Sequence, residues 1–164
     1  MTQTSPANLP PTPGAFWQWA VALYGKPGVA PACLTLQDGN GVDVNLMLLL
    51  LHLATLGQAV GAAELRVLDE AAAPWRHEVV EPLRALRRKM KPMGEDATRK
   101  LVQAAELDAE RVVQRRMIEA LPPLQPSTEP VVDLASRHLD IYAAYIGTTL
   151  DMDAVTAILT ALAD

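Results

Sequence analysis

The chain has 164 residues, of which 50% are hydrophobic and 20% are charged, a balance too apolar for intrinsic disorder and typical of one packed domain. Its formal net charge is -5, which disfavours a nucleic-acid partner unless positive charge is locally concentrated. Cys33 is the single cysteine, so no intrachain disulfide can form. We therefore expect a reducing, cytoplasmic environment.

Residues 1–13 contain four prolines and predict a flexible N-terminal tail. This segment has neither the basic stretch nor the apolar stretch of a secretory signal. The longest apolar stretch, at 46–54, is much shorter than the roughly 20 residues that a membrane-spanning helix needs. We therefore expect no membrane association.

Apolar spacing and turn signals predict helices throughout the first half of the chain. Thr12 is a typical N-cap, with Pro13 in the first turn of a helix that ends at Gly25. The segment 43–56 is apolar nearly all round, which is typical of a helix at the centre of a fold. The remaining predictions for this half are a helix at 29–37, a turn at 38–41, a helix at 61–73 and a helix from Pro74 to Met90 that is kinked or broken at Pro82.

The second half predicts three more helices. The first is a long helix at 95–121, which is followed by a proline-rich connector. The second runs from Ser127 to Ile146, and the third has Thr148 and Asp151 as a capping box and extends to Ala163.

These elements predict an all-α, single-domain bundle of seven or eight helices around the central apolar helix at 43–56. A helical core at 14–91 follows the tail. The long helix and a C-terminal helical pair, at 95–164, are expected to pack on that core.

Polar residues on and beside the central helix predict a pocket. Asn45 and His52 lie two turns apart on one face, and an unpaired buried polar group costs about 1–3 kcal/mol. The pocket would be lined by Asp38, Asp43, Asn45 and His52, beside Trp17 or Trp75. The alternative is structural, with Asp43 capping the helix and the other groups paired inside the core.

A second candidate site is a basic helix face. Arg84, Arg87, Arg88 and Lys91 are spaced i, i+3, i+4 and i+7 and therefore share one side of a helix. Arginine pairs well with carboxylates and phosphates, so this face predicts docking of an acidic or phosphate-bearing partner. The alternatives are a solvated face and pairing with acidic helices of the same chain.

Signatures of catalysis and metal binding are missing from the sequence. The turn that begins at Asp38 does not match a calcium loop, because Val42, Asp43 and Leu49 stand at key positions. Cys33 has no flanking motif of a cysteine nucleophile and is expected to be buried. We therefore expect no cofactor and no metal, and a binding protein rather than an enzyme.

Two stretches resemble a family of small bacterial proteins known only as a domain of unknown function. The first contains FWxWA, LYGxPGV, CLxLQD and GVDVNL, and the second is WRxEVVxPLRxLRR. The resemblance covers roughly the first 91 residues and implies a bacterial, cytoplasmic, helical protein without an assigned activity. It places seven residues in the family's pattern: Cys33, Gln37, Asp38, Asp43, Asn45, Trp75 and Arg84. Relatives tend to have an aromatic residue where this chain has His52.

The sequence therefore favours a non-catalytic interaction or adaptor protein that binds through the basic face. The alternative is a small-molecule-binding protein or enzyme that uses the polar pocket. We expect a protein partner. Self-association is an open alternative, and a nucleic-acid partner is disfavoured by the overall negative charge.

Overall fold

The structure, a computed structural model, describes residues 10–164 and contains eight α-helices within that range. Their bounds are α1 Pro13–Tyr24, α2 Val29–Asn40, α3 Val44–Thr55, α4 Ala62–Trp75, α5 Glu81–Met90, α6 Asp96–Glu119, α7 Val131–Ile146 and α8 Met152–Ala163. A two-residue antiparallel pair joins β1 (Gln58–Ala59) to β2 (Gln125–Pro126). The predicted all-α, single-domain bundle is confirmed. Of the predicted tail, residues 1–9 lie outside the described residues.

The central helix α3 is the core of the bundle. Every residue from Asn45 to Ala54 is buried, because α1, α6 and α7 pack against different sides of α3. Asp43 caps this helix as predicted, since Asp43 Oδ1 accepts hydrogen bonds from the backbone N–H groups of Asn45 and Leu46. None of the helices in the described part of the chain combines the length and apolar character needed to cross a bilayer.

Several predicted boundaries were wrong. Helix α2 continues to Asn40, through the predicted turn at 38–41, and Gly41 closes it with a left-handed φ of 70°. Helix α7 begins at Val131 and not at Ser127, because the Ser127 N–H donates to the carbonyl of Gly57 in the strand connection. The cap of α8 is Asp151 alone, which accepts from the Ala154 N–H.

The predicted helix boundary between residues 73 and 74 was also wrong, and the chain is not broken at Pro82, although a π-helical turn lies just before it. The chain stays helical from Ala62 to Met90, with a π-helical turn at Arg76–Val80 between α4 and α5. In this turn the Glu81 N–H donates to the Arg76 carbonyl, five residues earlier. The wider turn places Pro82 in the first turn of α5, where its missing N–H is tolerated.

Candidate functional site

A cleft of about 810 Å³ lies between α1 and α2 on one side and α5 and α6 on the other, above the N-terminal half of α3. The α1 and α2 side is largely apolar and includes Trp17, Val21, Tyr24 and Leu34. Val21 and Leu34 are 55% and 45% exposed, and grouped exposed apolar side chains often mark binding grooves. This side of the cleft therefore offers an apolar contact surface.

The opposite side of the cleft is basic. Arg84, Arg87, Arg88 and Lys91, the predicted basic face, all line it, and Arg99 joins them from α6. These five cations share the cleft with three carboxylates, which belong to Asp38, Glu106 and Glu110. The cleft therefore has a formal charge of +2, whereas the whole chain has a charge of -5.

Two of these cations are neutralised within the protein. Glu106, with a side chain only 8% exposed, accepts hydrogen bonds from both Arg84 and Arg87. Arg84 also lies 3.2 Å from the carboxylate of Glu110. The hydrogen bond to Glu106 raises the pKa of Arg87, whereas burial raises the pKa of Glu110 despite the nearby Arg84. Internal pairing, one of the alternatives for the basic face, therefore applies to Arg84 and Arg87.

The other three cations are less strongly paired within the described residues. Arg88 pairs with Asp38 at 3.1 Å, but both side chains are about half exposed, and the hydrogen bond from Arg88 lowers the pKa of Asp38. Lys91 has no ion pair within the described residues. The Nε of Arg99 is buried without a hydrogen-bond partner, 3.6 Å from Asp96. Ligand anions would therefore meet Arg88, Lys91 and Arg99 at little cost in broken pairs.

Two side-chain amides lie at the base of the cleft. Gln114 is 3% exposed and donates through Nε2 to Asn45 Oδ1 at 2.9 Å. Gln114 Oε1 is buried and has no hydrogen-bond partner. Buried acceptors of this kind are normally paired, by protein, water or ligand. Of the three buried side-chain atoms without a partner in residues 10–164, two belong to cleft residues, Arg99 and Gln114.

A second cavity of about 330 Å³ lies on the other side of Asn45 and of the Asp38–Arg88 pair. Its centre is Arg76, which pairs with Asp43 and Asp69, both at 2.7 Å. Burial alone would lower the pKa of Arg76, but the two aspartates raise it above its usual value. This cluster is charge-paired and is fixed to α3 through the cap residue Asp43.

The structure does not bring every predicted pocket residue together. His52 is 7% exposed and lines neither cavity, because its ring packs against Phe16 and Trp19. Burial lowers the pKa of His52 to about 4, so the imidazole is neutral at physiological pH. The predicted grouping of His52 with Asp38, Asp43 and Asn45 is not found, because His52 faces α1 two turns away.

The two candidate tryptophans also have different locations. Trp17 lines the cleft, with the Arg111 guanidinium 4.4 Å from its ring centroid. Trp75 lines neither cavity, and its Nε1 donates to the carbonyl of Ala109 at 3.0 Å. Trp75 therefore stabilises the packing of α4 against α6. Cys33 is fully buried, and burial raises the pKa of its thiol to about 12.

Sequence reasoning missed the contribution of α6. Arg99, Gln103, Glu106, Glu110 and Gln114 line the cleft from one face of this helix. Their spacing of three to four residues was visible as a polar stripe beside the apolar stripe. From sequence alone, this polar stripe is typical of a solvent-exposed helix face. The stripe forms a wall of the cleft only because α5 packs beside it on α6.

Residues 15–117, more than half of the chain, match a family described as "protein of unknown function (DUF2390)", and the chain belongs to this family. The matched region covers most of α1 and α6 and all of α2, α3 and α5, the helices that form the cleft. The predicted resemblance to an uncharacterised family is thereby confirmed. No curated protein and no solved structure matches the chain.

Proposed function

We propose that the protein is a non-catalytic binding protein that holds an acidic segment of a partner protein in the cleft. The observation that carries the proposal is the excess of cations over carboxylates in this one concave surface. Arginine beside aromatic and other apolar side chains is typical of protein-binding sites, where charge gives specificity and apolar contacts give affinity.

The proposal refines the predicted basic face. Arg84 and Arg87 already have Glu106 as their partner, so the partner's carboxylates would pair mainly with Arg88, Lys91 and Arg99. Replacing Arg84 and Arg87 would disturb the packing of α5 on α6 and would not isolate binding. Lys91 and Arg99 are the informative positions, because neither has a strong partner in the protein.

The matched test compares two double variants that lose the same charge. Lys91→Ala with Arg99→Ala removes two cleft cations. Lys100→Ala with Arg115→Ala removes two cations that do not line the cleft. The probes are fluorescein-labelled octapeptides with zero, two or four aspartates among leucine and serine, measured by fluorescence anisotropy in 150 mM salt.

We expect affinity for the wild type to increase with the number of aspartates. The cleft variant should lose roughly tenfold in affinity for the four-aspartate peptide, as expected when two partly desolvated charge contacts are removed. The control variant should remain within about twofold of the wild type, because its charges are distant and screened by salt. Equal losses of affinity in both variants would mean that peptide binding depends only on the overall charge of the protein.

A second candidate function is supported by the cleft volume. A volume of about 810 Å³ lies within the range of roughly 300–1,000 Å³ that is typical of small-molecule sites. The ligand would be an anion with an apolar body, since Lys91 and Arg99 line the cleft opposite its apolar α1 and α2 side. Of the predicted pocket residues, Asp38 and Asn45 line this cleft and His52 does not. Dodecanoate is a suitable probe: saturable binding that is weakened by Lys91→Ala with Arg99→Ala, together with no peptide binding, would favour this function.

A further inference from the structure

Helices form the walls and the floor of the cleft. Its lining comes from α1, α2, α3, α5 and α6 and from the turns that follow α1 and α5, whereas the strands β1 and β2 do not line it. The backbone N–H and C=O groups of a helix are already paired with each other, so these walls offer no free sheet edge to which an extended peptide could be added. An extended segment would bury backbone groups without partners, which is unfavourable. A helix pairs its own backbone groups and avoids this cost.

The dimensions of the cleft also suit an α-helix. Helices α1 and α5 both pack against α6 but not closely against each other, and the cleft lies between them. Along α6 its lining runs from Arg99 to Gln114, a rise of about 22 Å at 1.5 Å per residue. The centre of a water molecule can occupy about 810 Å³ of the cleft, and about 1880 Å³ lies between the atomic surfaces of its walls when the open mouth is included. The larger volume gives a mean cross-section of about 85 Å², close to that of an α-helix of about 10 Å diameter.

The apolar lining of the cleft is concentrated on α1 and α2, and Leu107 adds to it from α6. Val21, Leu34 and Leu107 are 55%, 45% and 50% exposed. An amphipathic helix that binds in a groove buries an apolar stripe of residues spaced three and four apart. A docked helix would therefore turn its apolar face towards α1 and α2.

The charge of the cleft changes along its length. Helices α5 and α6 run antiparallel, since Arg84 pairs with Glu110, whereas Lys91 lies in the turn after α5 and Arg99 lies in the first turn of α6. Lys91 and Arg99 are therefore at one end of the cleft, and Glu110 is towards the other. The C-terminal end of a helix has unpaired carbonyl groups and partial negative charge, which favour nearby cations. A docked helix should therefore have its C-terminus beside Lys91 and Arg99.

From these observations we infer that the cleft binds an amphipathic α-helix of a partner protein, about four turns long, whose C-terminal turns are acidic. The apolar face of this helix lies against α1 and α2, and its acidic turns lie against Lys91 and Arg99. The inference rests on the proposed function, because it presupposes that the cleft binds an acidic partner. It goes further by specifying the conformation, length and direction of the bound segment.

Two isomeric peptides test the direction of the bound helix. Each has fifteen residues, a leucine stripe on one face, three glutamates beside the stripe and a hydrocarbon staple on the opposite face. The glutamates lie in the last two turns of the C-acidic peptide and in the first two turns of the N-acidic peptide. We expect the C-acidic peptide to bind the full-length protein about fivefold more tightly in a fluorescence anisotropy titration in 150 mM salt. Acidic residues near the N-terminus stabilise an isolated helix, so the stability of the free peptides would favour the opposite order.

The two double variants locate the source of this preference. In Lys91→Ala with Arg99→Ala, we expect the affinities of the two peptides to differ by less than about twofold, because the cations at one end of the cleft are gone. Lys100→Ala with Arg115→Ala removes two exposed cations of α6 that do not line the cleft. This matched control should retain the fivefold preference for the C-acidic peptide.

The conformation of the bound segment is measured by NMR on an unstapled C-acidic peptide labelled with ¹³C at its α-carbons. We expect the Cα chemical shifts to move downfield on binding, the direction that is typical of a helix. A second unstapled peptide has proline at its centre, which interrupts a helix but is tolerated in an extended chain. We expect the proline peptide to bind at least tenfold more weakly than the unstapled C-acidic peptide.

The outcomes separate the inference from the proposed function. Upfield Cα shifts, or undiminished binding of the proline peptide, would overturn the helical conformation and leave the acidic-partner function standing. Equal affinity of the wild type for the C-acidic and N-acidic peptides would overturn the inferred direction alone.

Other occupants of the cleft would overturn both proposals. A hexamer of uridylate that binds more tightly than either peptide would assign the cleft to nucleic acid. Sedimentation showing a dimeric wild type and a monomeric Lys91→Ala and Arg99→Ala double variant would assign it to a second copy of the chain. If neither peptide discriminates the wild type from that double variant, the proposed function itself fails.

Discussion

The cluster around Arg76 and the cleft are built from the same residue types on neighbouring helices, yet they differ in charge balance. Arg76 is surrounded by two aspartates, and Tyr145 donates a further hydrogen bond to Asp69 at 3.0 Å. In the cleft, five cations face three carboxylates. The Arg76 cluster is neutralised from within, whereas the cleft retains positive charge that only an external group can neutralise.

The partners of its charged groups indicate whether a charge cluster stabilises the fold or binds a ligand. In the Arg76 cluster every charged group contacts a residue that also holds the fold, such as Asp43, whose backbone N–H donates to Tyr142 at 2.8 Å. In the cleft only Arg84 and Arg87 have such partners. Lys91 lies in the 3-10 turn that follows α5, and its side chain has no ion pair among the described residues. Stability should therefore respond to changes in the first region, and binding to changes in the second.

The largest expected effect is on stability. Arg76→Met leaves Asp43 and Asp69 partly buried without their cation, and breaking such a pair costs about 3–5 kcal/mol. We expect the free energy of unfolding to fall by about 3 kcal/mol, measured by urea denaturation. Arg66→Met, which removes an exposed cation from the adjoining helix α4, is the control and should change stability by less than about 0.5 kcal/mol. An effect of Arg76→Met no larger than that of the control would mean that this cluster is not structural.

A somewhat smaller effect is expected on the pH dependence of the free energy of unfolding. It arises because His52 is a buried base that has no carboxylate partner among the described residues. Burial lowers the pKa of His52 to about 4 in the folded protein, below the value of about 6.5 in the unfolded chain. The stability contributed by the neutral imidazole is present above pH 6.5 and is lost as the pH falls through 4.

We therefore expect the wild type to lose about 2–3 kcal/mol of stability between pH 7 and pH 4 through this residue. His52→Phe should remove that part of the loss, since Phe retains the packing against Phe16 and Trp19. The part due to His138, whose pKa burial also lowers, should remain. Urea titrations at five pH values measure both proteins, and parallel pH profiles would contradict the assignment to His52.

Two carboxylates in the cleft, Glu106 and Glu110, contact its arginines. Replacing each of them tests which of these pairs stabilises the fold. Glu106→Gln leaves Arg84 and Arg87 with a neutral partner, and we expect a loss of about 2 kcal/mol, below the full cost of a broken buried pair because both arginines are partly solvated. Glu110 is the matched comparison: burial raises its pKa, so the charged form is disfavoured in the fold. Glu110→Gln should therefore be close to neutral or slightly stabilising at pH 7, and equal losses for both variants would contradict the different roles assigned to them.

Much of the fold could be predicted from sequence, because it depends on local chemistry. Asp43 caps α3, and the apolar stretch after it becomes the buried centre of the bundle. The errors occurred where distant contacts outweigh local signals. Ser127 resembles a helix start but pairs with Gly57, and the chain stays helical through the boundary predicted at residues 73 and 74, into a π-helical turn at Arg76–Val80.

The candidate site was predictable only in part. The shared face of Arg84, Arg87, Arg88 and Lys91 follows from their spacing, although the structure places only the three arginines on α5 and Lys91 in the 3-10 turn after it. The pairing of two of these arginines with Glu106 does not, because that contact joins helices about twenty residues apart in the sequence. His52 was placed in the pocket from its alignment with Asn45, but the aromatic rings of α1 occupy its surroundings.

The smallest expected effect concerns the Asp38–Arg88 pair, the point at which the cleft and the second cavity meet. Asp38→Asn removes an exposed carboxylate and should leave stability unchanged within about 0.5 kcal/mol, because surface pairs contribute little. It should nevertheless raise the affinity for the four-aspartate octapeptide about threefold, since Arg88 is freed and the charge of the cleft rises by one. Asp108→Asn, which makes the same change on α6 outside the cleft, provides the control in the same anisotropy titration. A gain in affinity that appears equally in both variants would show that the overall charge of the protein, and not the partner of Arg88, determines binding.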